Sequence, residues 1–178
     1  MRLFLLLTLC CVIASVGCRR GPEWYALPEQ RPAFTGDEPS PVVSRLFKIS
    51  DPNVAEYLVK DVAGGTEGGA WRWVFKRPEF RFLISDHRGL RFFMEFALPD
   101  QTFKQTGPVT FSIFINEKPF KKLRFRKPGQ LRLEEPVPMA LLKPYAVNHV
   151  RVEVDPVWVA PGDGAQLGFI LSSAGFVK

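Results

Sequence analysis

The chain has 178 residues, 46% of them hydrophobic, and its 24 Lys and Arg against 18 Asp and Glu give a formal net charge of +6. This length suits one domain with a full hydrophobic core, and so mild a charge bears mainly on solubility and weak association. Its two histidines, His87 and His149, lie in separate segments without a metal-ligand spacing, so the sequence predicts no metal site.

Residues 1–17 have the features of an export signal. Arg2 supplies positive charge, and the apolar run 3–13 matches a signal-peptide core but is too short to span a membrane. Small residues, including Ser15 and Gly17, then precede Cys18. This arrangement resembles the lipobox of bacterial lipoproteins, which implies that Cys18 is lipidated and becomes the first mature residue. An ordinary cleaved signal peptide and an uncleaved anchor are the alternatives.

Lipidation implies a protein outside the cytoplasm, anchored to a bacterial membrane in the periplasm or at the cell surface. Cys10 and Cys11 would leave with the signal peptide and Cys18 would carry lipid, so no thiol remains for a disulfide, a metal or catalysis. The folded domain must then be stabilised by its hydrophobic core without any disulfide. Residues 18–41 contain five prolines, which predicts an extended, semi-rigid tether.

The domain is predicted to occupy residues 42–178 and to begin with a strand over residues 42–49. Residues 53–62 are ambiguous. Asp51-Pro52 before them and Gly64-Gly65 after them favour a short helix, whereas the apolar residues within 57–62 suit a strand.

From Trp71 onward, apolar and polar residues alternate with period two, as in strands that bury one face. Short strands separated by Pro and Gly turns predict an all-β fold, a single antiparallel β-sandwich with little helix and a loop over 99–108. Four apolar residues fall where the alternation predicts solvent, and burial under a loop or within a central strand is favoured over an exposed platform: Leu83, Phe93, Phe114 and Ile170.

The sequence argues against an enzyme. Ser85-Asp86-His87 contains the residue types of a hydrolytic triad, but three adjacent residues in a tight turn cannot converge as a triad must. No pair of carboxylates stands out for glycoside hydrolysis, and no glycine motif suited to phosphate appears. No cofactor is predicted.

The segment Trp71-Arg72-Trp73 is the first candidate binding site. Trp71 and Trp73 are predicted on one face of a strand, either in the core or as a stacking platform for sugar rings. Arg72 points the opposite way and is expected to pair with Glu67. Trp158 leads into the loop 161–164, where Pro-Gly-Asp-Gly suits a ligand or calcium but also a simple turn.

A run of basic residues is the strongest charge feature. It fits the solvated side and edge of a hairpin, where lysines discourage aggregation, or a patch for anionic glycan, lipopolysaccharide or membrane. Nucleic acid is not expected as the partner of an exported protein. The run comprises Lys118, Lys121, Lys122, Arg124, Arg126 and Lys127.

Four segments together resemble jelly-roll β-sandwiches of the galactose-binding-like and carbohydrate-binding-module type. They are residues 67–73 (EGGAWRW), 114–116 (FIN), 148–152 (NHVRV) and 166–170 (QLGFI). The resemblance implies a strand for residues 57–62, but no ligand-contacting motif matches, so it assigns no binding residue. Two hypotheses follow: a lipid-anchored, non-catalytic module that binds envelope or surface polysaccharide, and a structural or assembly lipoprotein that docks an envelope protein.

Overall fold

The computed structural model describes residues 43–178, so the predicted signal peptide, Cys18 and nearly all of the Pro-rich tether lie outside the described residues. One α-helix, α1, is present in this range, and none of its helices is long and apolar enough to cross a membrane. The strands are β1 (Leu46–Lys48), β2 (Leu58–Val62), β3 (Arg72–Ile84), β4 (Arg91–Leu98), β5 (Val109–Ile115), β6 (Lys118–Phe125), β7 (Gly129–Pro136), β8 (Ala146–Asp155), β9 (Trp158–Val159), β10 (Gln166–Leu167) and β11 (Phe169–Val177); α1 spans Asp100–Thr106.

The strand β3 connects the two halves of the main sheet, whose order is β6-β5-β8-β3-β11-β4-β7. Val74 pairs with both β11 and β2, and Phe80 pairs with both β8 and β2. Because β2 is the shared partner, it occupies one edge of β3, while β11 and β8 follow one another along the other edge. The first layer therefore consists of β6, β5, β8 and the C-terminal part of β3. The second layer consists of β11, β4, β7 and the N-terminal part of β3.

Phenylalanine rings fill the space between the two layers. The ring of Phe96 on β4 lies 5.1 Å from Phe111 on β5 and 5.2 Å from Phe125 on β6, measured between centroids. Phe82 and Phe176, from β3 and β11, meet edge to face at 5.4 Å. All pairings within the sheet are antiparallel, so the predicted antiparallel β-sandwich is confirmed.

The structure resolves the ambiguous segment and corrects two local predictions. Residues 53–62 form a 3-10 turn over Val54–Glu56 and then strand β2, so the favoured strand is correct for their second half. The predicted loop 99–108 contains α1, which is a correction. Leu83 is 45% exposed rather than buried, because no element within residues 43–178 covers the outer face of β3 there, whereas Phe93 is buried as expected.

Candidate functional site

Four connecting segments meet at one end of the sandwich, which we call the tryptophan end. Leu98 at the end of β4 pairs with Gly129 at the start of β7, and Val109 at the start of β5 pairs with Phe125 at the end of β6. The same antiparallel register brings the end of β8 and the starts of β3 and β11 to this end. Its segments are residues 63–71, 99–108, 126–128 and 156–168.

Trp73 lies on the outer face of β3, and its neighbours along the strand, Arg72 and Val74, point to the opposite face. Val74 is fully buried, so at the start of β3 the alternate residues Arg72 and Val74 point toward the core. Trp73 pairs with Ile170 of β11 and accepts a backbone hydrogen bond at its carbonyl from Ala63. Its side chain is partly exposed. The predicted alternatives, core or platform, are thus resolved in favour of an outward-facing indole.

Trp71 precedes β3 and is held by a glycine turn. Its carbonyl accepts a hydrogen bond from the Glu67 amide at 3.0 Å, closing a bridge between the two residues. Gly68 and Gly69 between them have φ of 58° and 69°, a region that side chains disfavour. A Cβ on Gly68 would lie 3.8 Å from the indole nitrogen of Trp71. The turn therefore packs directly beside a partly exposed indole.

Trp158 is oriented by a residue of α1 that no pattern in the sequence singles out. Its Nε1 donates to Oε1 of Gln105 at 2.7 Å, and β9, on which it lies, pairs with β10. In the following loop, Oδ1 of Asp163 accepts from the Ala165 amide at 3.0 Å, which is turn chemistry. Three indoles, those of Trp71, Trp73 and Trp158, are thus partly exposed at the same end.

Arg72 behaves differently from the prediction. Its Nη1 donates to the carbonyl oxygen of Ala63 at 3.5 Å, and no ion pair joins it to Glu67 in the described part of the chain. The expected pairing was wrong because Arg72 points inward like Val74 and donates to Ala63, while Glu67 precedes the glycine turn and is exposed. Its Nε is buried and has no hydrogen-bond partner among residues 43–178.

The basic run divides into one paired residue and five that carry no ion pair within residues 43–178. Lys121 contacts Glu135 on β7, with 2.9 Å between Nζ and Oε2. The rest are exposed along the edge strand β6 and its flanking turns, in agreement with the predicted hairpin edge. We call these five residues the basic ribbon: Lys118, Lys122, Arg124, Arg126 and Lys127.

The outer face of the first layer also carries an apolar depression of about 440 Å³, which we call the lateral groove. The exposed aliphatic side chains on this face are Val59 (44%), Leu83 (45%) and Val147 (43%). Leu83 and Val147 are direct partners in the register of β3 and β8. The groove itself is lined by Val43, Glu56, Val59, Arg81, Val147 and His149.

Glu79 anchors a charged network beside the lateral groove. Its two carboxylate oxygens contact Nζ of Lys60 at 3.0 Å and Nδ1 of His149 at 2.9 Å, and the residue is only 8% exposed. Burial by itself raises the pKa of Glu79, but hydrogen bonds and charge from Lys60 and His149 outweigh it and leave the pKa lowered.

Several other carboxylates on the surface of the domain face cations. Glu134 contacts both Arg91 and Arg132, and although burial opposes the shift, the hydrogen bond from Arg132, the largest contribution, lowers its pKa. Glu153 lies 3.5 Å from Arg151. Each of these groups is held as a charged partner in a surface ion pair.

The sequence matches no family model and no curated protein. Among solved structures, it is similar to a family 35 carbohydrate-binding module from Clostridium thermocellum, with 13% identity over 75% of this chain and 98% of that one and a TM-score of 0.44. A family 35 module from an environmental isolate gives 12% identity over 75% and 92% of the two chains and a TM-score of 0.42.

A third similar structure is an acetyl xylan esterase from the rumen bacterium Butyrivibrio proteoclasticus, with 14% identity over 76% of this chain and a TM-score of 0.44. The chain spans only 34% of that esterase. With identities this low and TM-scores below 0.5, these likenesses assign neither a family nor a ligand.

Proposed function

We propose that this protein is a non-catalytic carbohydrate-binding lipoprotein of the bacterial envelope, which binds polysaccharide at the tryptophan end. The proposal depends on one observation: Trp71, Trp73 and Trp158 are partly exposed at the same end of a rigid sandwich. An indole offers a broad apolar face with one polar edge, which suits the apolar faces of sugar rings. Strand ends and ordered turns preorganise such rings for ligand binding.

The contacts around the three indoles favour side chains that are ordered before a ligand binds. Trp73 is fixed within β3, Trp158 is oriented by its bond to Gln105, and the turn at Gly68 lies against Trp71. Side chains ordered before binding lose little conformational freedom when the ligand arrives. A sugar hydroxyl near Trp158 would find a polar partner in Gln105, which is exposed beside that indole.

Affinity electrophoresis in gels containing envelope polysaccharides tests this proposal. We expect the full-length protein to be retarded by at least one polysaccharide. Trp71→Ala, Trp73→Ala and Trp158→Ala should each weaken retention about 30-fold, since truncating a central aromatic contact costs about 2 kcal/mol. Tyr145→Ala is the matched control, because Tyr145 is 84% exposed but lies just before β8, at the opposite end. Normal migration in every polysaccharide, or equal losses in the control, would refute it.

The membrane attachment at Cys18 is part of the same proposal. The supporting feature is the short apolar run followed by small residues and a cysteine. Growth with labelled palmitate should label the wild-type protein and the Cys11→Ser control. The Cys18→Ser variant should remain unlabelled. Label in that variant, or none in the wild type, would exclude the lipid anchor.

A second candidate function is docking of an envelope protein, and the lateral groove favours it. An exposed apolar patch bordered by charge is the feature that such a role requires. Here Leu83 and Val147 lie beside Arg81 and His149. Crosslinking in whole cells from Val147 should then recover one protein, and the Trp71→Ala variant should still be crosslinked to it.

A further inference from the structure

We propose that carbohydrate binding continues from the tryptophan end onto the outer face of the second layer, where an uncharged stretch of polysaccharide lies across β11, β4 and β7. The ligand is the polysaccharide of the proposed function, on which this inference rests. A depression of about 260 Å³ on this face, which we call the polar depression, is lined by Glu95, Gln130, Leu131, Arg132 and Ser172.

The register places Trp73 in one row with this depression. Trp73 on β3 pairs with Ile170 on β11. Ile170 pairs in turn with Ala97 on β4, and Ala97 pairs with Gln130 on β7. Side chains of directly paired residues project from the same face of a sheet, and Phe96, next to Ala97, points into the core, so this row lies on the outer face. Its three steps between strands span about 14 Å, which is longer than a single sugar ring.

Two opposite charges face each other in the polar depression without forming an ion pair. Glu95 and Arg132 are direct partners in the register of β4 and β7, a position from which opposite charges ordinarily interact. Oε2 of Glu95 instead accepts from Oγ of Ser173 at 3.0 Å. Nη2 of Arg132 donates to Oε2 of Glu134 at 2.6 Å, and no ion pair joins Arg132 to Glu95 within residues 43–178. The space between the carboxylate and the guanidinium is therefore open to a ligand.

Further contacts order the side chains of the polar depression. Ser173 is only 3% exposed, so the hydroxyl that orients Glu95 is itself fixed within the sheet. The guanidinium of Arg132 lies over the ring of Phe93, 4.9 Å from its centroid. Ser172 lies at a register shift between β11 and β4, the kind of irregularity that redirects a side chain. Groups that are ordered in advance lose little conformational freedom when a ligand binds.

The chemistry of the polar depression suits a neutral chain of hydroxyl groups. The carboxylate of Glu95 only accepts hydrogen bonds, the guanidinium of Arg132 only donates them, and the amide of Gln130 does both. A sugar hydroxyl also does both, so two adjacent hydroxyls would bridge Glu95 and Arg132. The lining side chains carry one negative and one positive charge, so they give no net attraction to an acidic or a basic ligand.

Oligosaccharides of graded length test the inference on the full-length protein. The probes, from disaccharide to hexasaccharide, are made by partial hydrolysis of the polysaccharide that retards the protein in gels, and calorimetry gives their affinities. We expect the hexasaccharide to bind about tenfold more tightly than the disaccharide, because only the longer chain reaches from Trp73 to the polar depression. Glu95→Gln and Arg132→Ala should each remove most of this gain, about tenfold, and leave disaccharide binding unchanged.

Carboxylate labelling of the wild-type protein gives a second measurement that needs no variant to fold. Carbodiimide-mediated amidation, read by mass spectrometry, should be several-fold slower at Glu95 when the hexasaccharide is bound and unchanged by the disaccharide. Glu117 is the internal control, because its side chain is 68% exposed and lies in the turn between β5 and β6 at the opposite end. Its labelling should be the same with and without either oligosaccharide.

Asp86→Asn and Arg88→Ala are the matched control variants, because this exposed acid–base pair lies in the turn between β3 and β4, away from the tryptophan end. Both should bind the hexasaccharide like wild type. Equal affinity for the two oligosaccharides, unprotected Glu95, or binding of acidic chains alone would overturn this inference and leave the proposed function intact. Normal migration of the wild type in every polysaccharide gel would refute both, so the two failures are distinguishable.

Discussion

Nζ of Lys121 on β6 lies 2.9 Å from Oε2 of Glu135 on β7, and this contact joins the two edge strands of the main sheet. Directly beside it, Phe120 meets Phe92 edge to face with 6.4 Å between ring centroids. The sheet therefore folds far enough that its first and last strands meet through side chains. Charge and aromatic contact together limit access to the core along this seam.

The Lys121–Glu135 pair is expected to contribute little stability. The two side chains are 42% and 26% exposed, and ion pairs in contact with solvent give about 0–1 kcal/mol. A double-mutant cycle of Lys121→Ala and Glu135→Ala, followed by urea unfolding, should yield a coupling free energy of about 0.5 kcal/mol. Phe92→Ala should lower the free energy of unfolding by about 3 kcal/mol or more. A coupling energy above that loss would contradict this ranking.

Asn148 is expected to be essential for stability although its side chain is polar. It is fully buried, and its Oδ1 accepts from Asn116 and from the Lys143 amide, both at 2.8 Å. Asn148→Ala leaves these donors without partners and should lower the free energy of unfolding by about 3 kcal/mol in denaturant titrations. Asn53→Ala is the control, since Asn53 is exposed and makes no capping hydrogen bond. Equal small losses would refute the prediction.

Gly175 is predicted to tolerate no side chain. Its φ is 154°, and a Cβ there would lie 2.3 Å from the carbonyl oxygen of Arg45 and 2.5 Å from Cα of Leu46. Gly175→Ala should therefore separate β1 from β11 and reduce the free energy of unfolding by about 3 kcal/mol. Gly64→Ala has open space and should change it by less than about 0.5 kcal/mol. Thermal unfolding of both variants provides the comparison.

Glu79 should make the fold sensitive to acid. Its pKa is lowered in the folded state from the ordinary 4.5, so its stabilisation is complete above that pH and is lost as the pH falls through the lower value. At pH 7, Glu79→Gln should lower the free energy of unfolding by about 2 kcal/mol. Below pH 4.5 the difference from wild type should shrink. Glu67→Gln, in an exposed loop, is the control and should change the free energy of unfolding at pH 7 by less than about 0.5 kcal/mol.

The strands in which only every second residue is apolar were predictable, because this alternation alone identifies their buried face. Phe111 and Ile113 on β5 are buried as the pattern requires. At the start of β3 both faces of the strand carry apolar residues, with Trp73 on one face and Val74 on the other. Pairing with β2 and β11 decides between them, and that information is not local in the sequence.

The contacts of the candidate site were not predictable from the sequence. The three indoles stand out in the sequence as a group, yet Gln105, which orients Trp158, lies 53 residues away in a helix without a clear apolar period. The ion pair between Lys121 and Glu135 was equally unpredictable from the sequence, since the two residues meet only because the sheet folds over on itself. Periodicity reports which face is buried, and it does not report which distant side chains meet.

The sharing of β3 between the layers has a consequence for the dynamics of the domain. Arg72–Val74 pair in one layer and Glu79–Ile84 in the other, so neither layer can detach without breaking the hydrogen bonds of a strand that the other requires. Partial opening of a single sheet is thereby disfavoured, and amide protons in both should exchange through the same global event. A ligand held at one end of this strand would slow that exchange throughout the molecule.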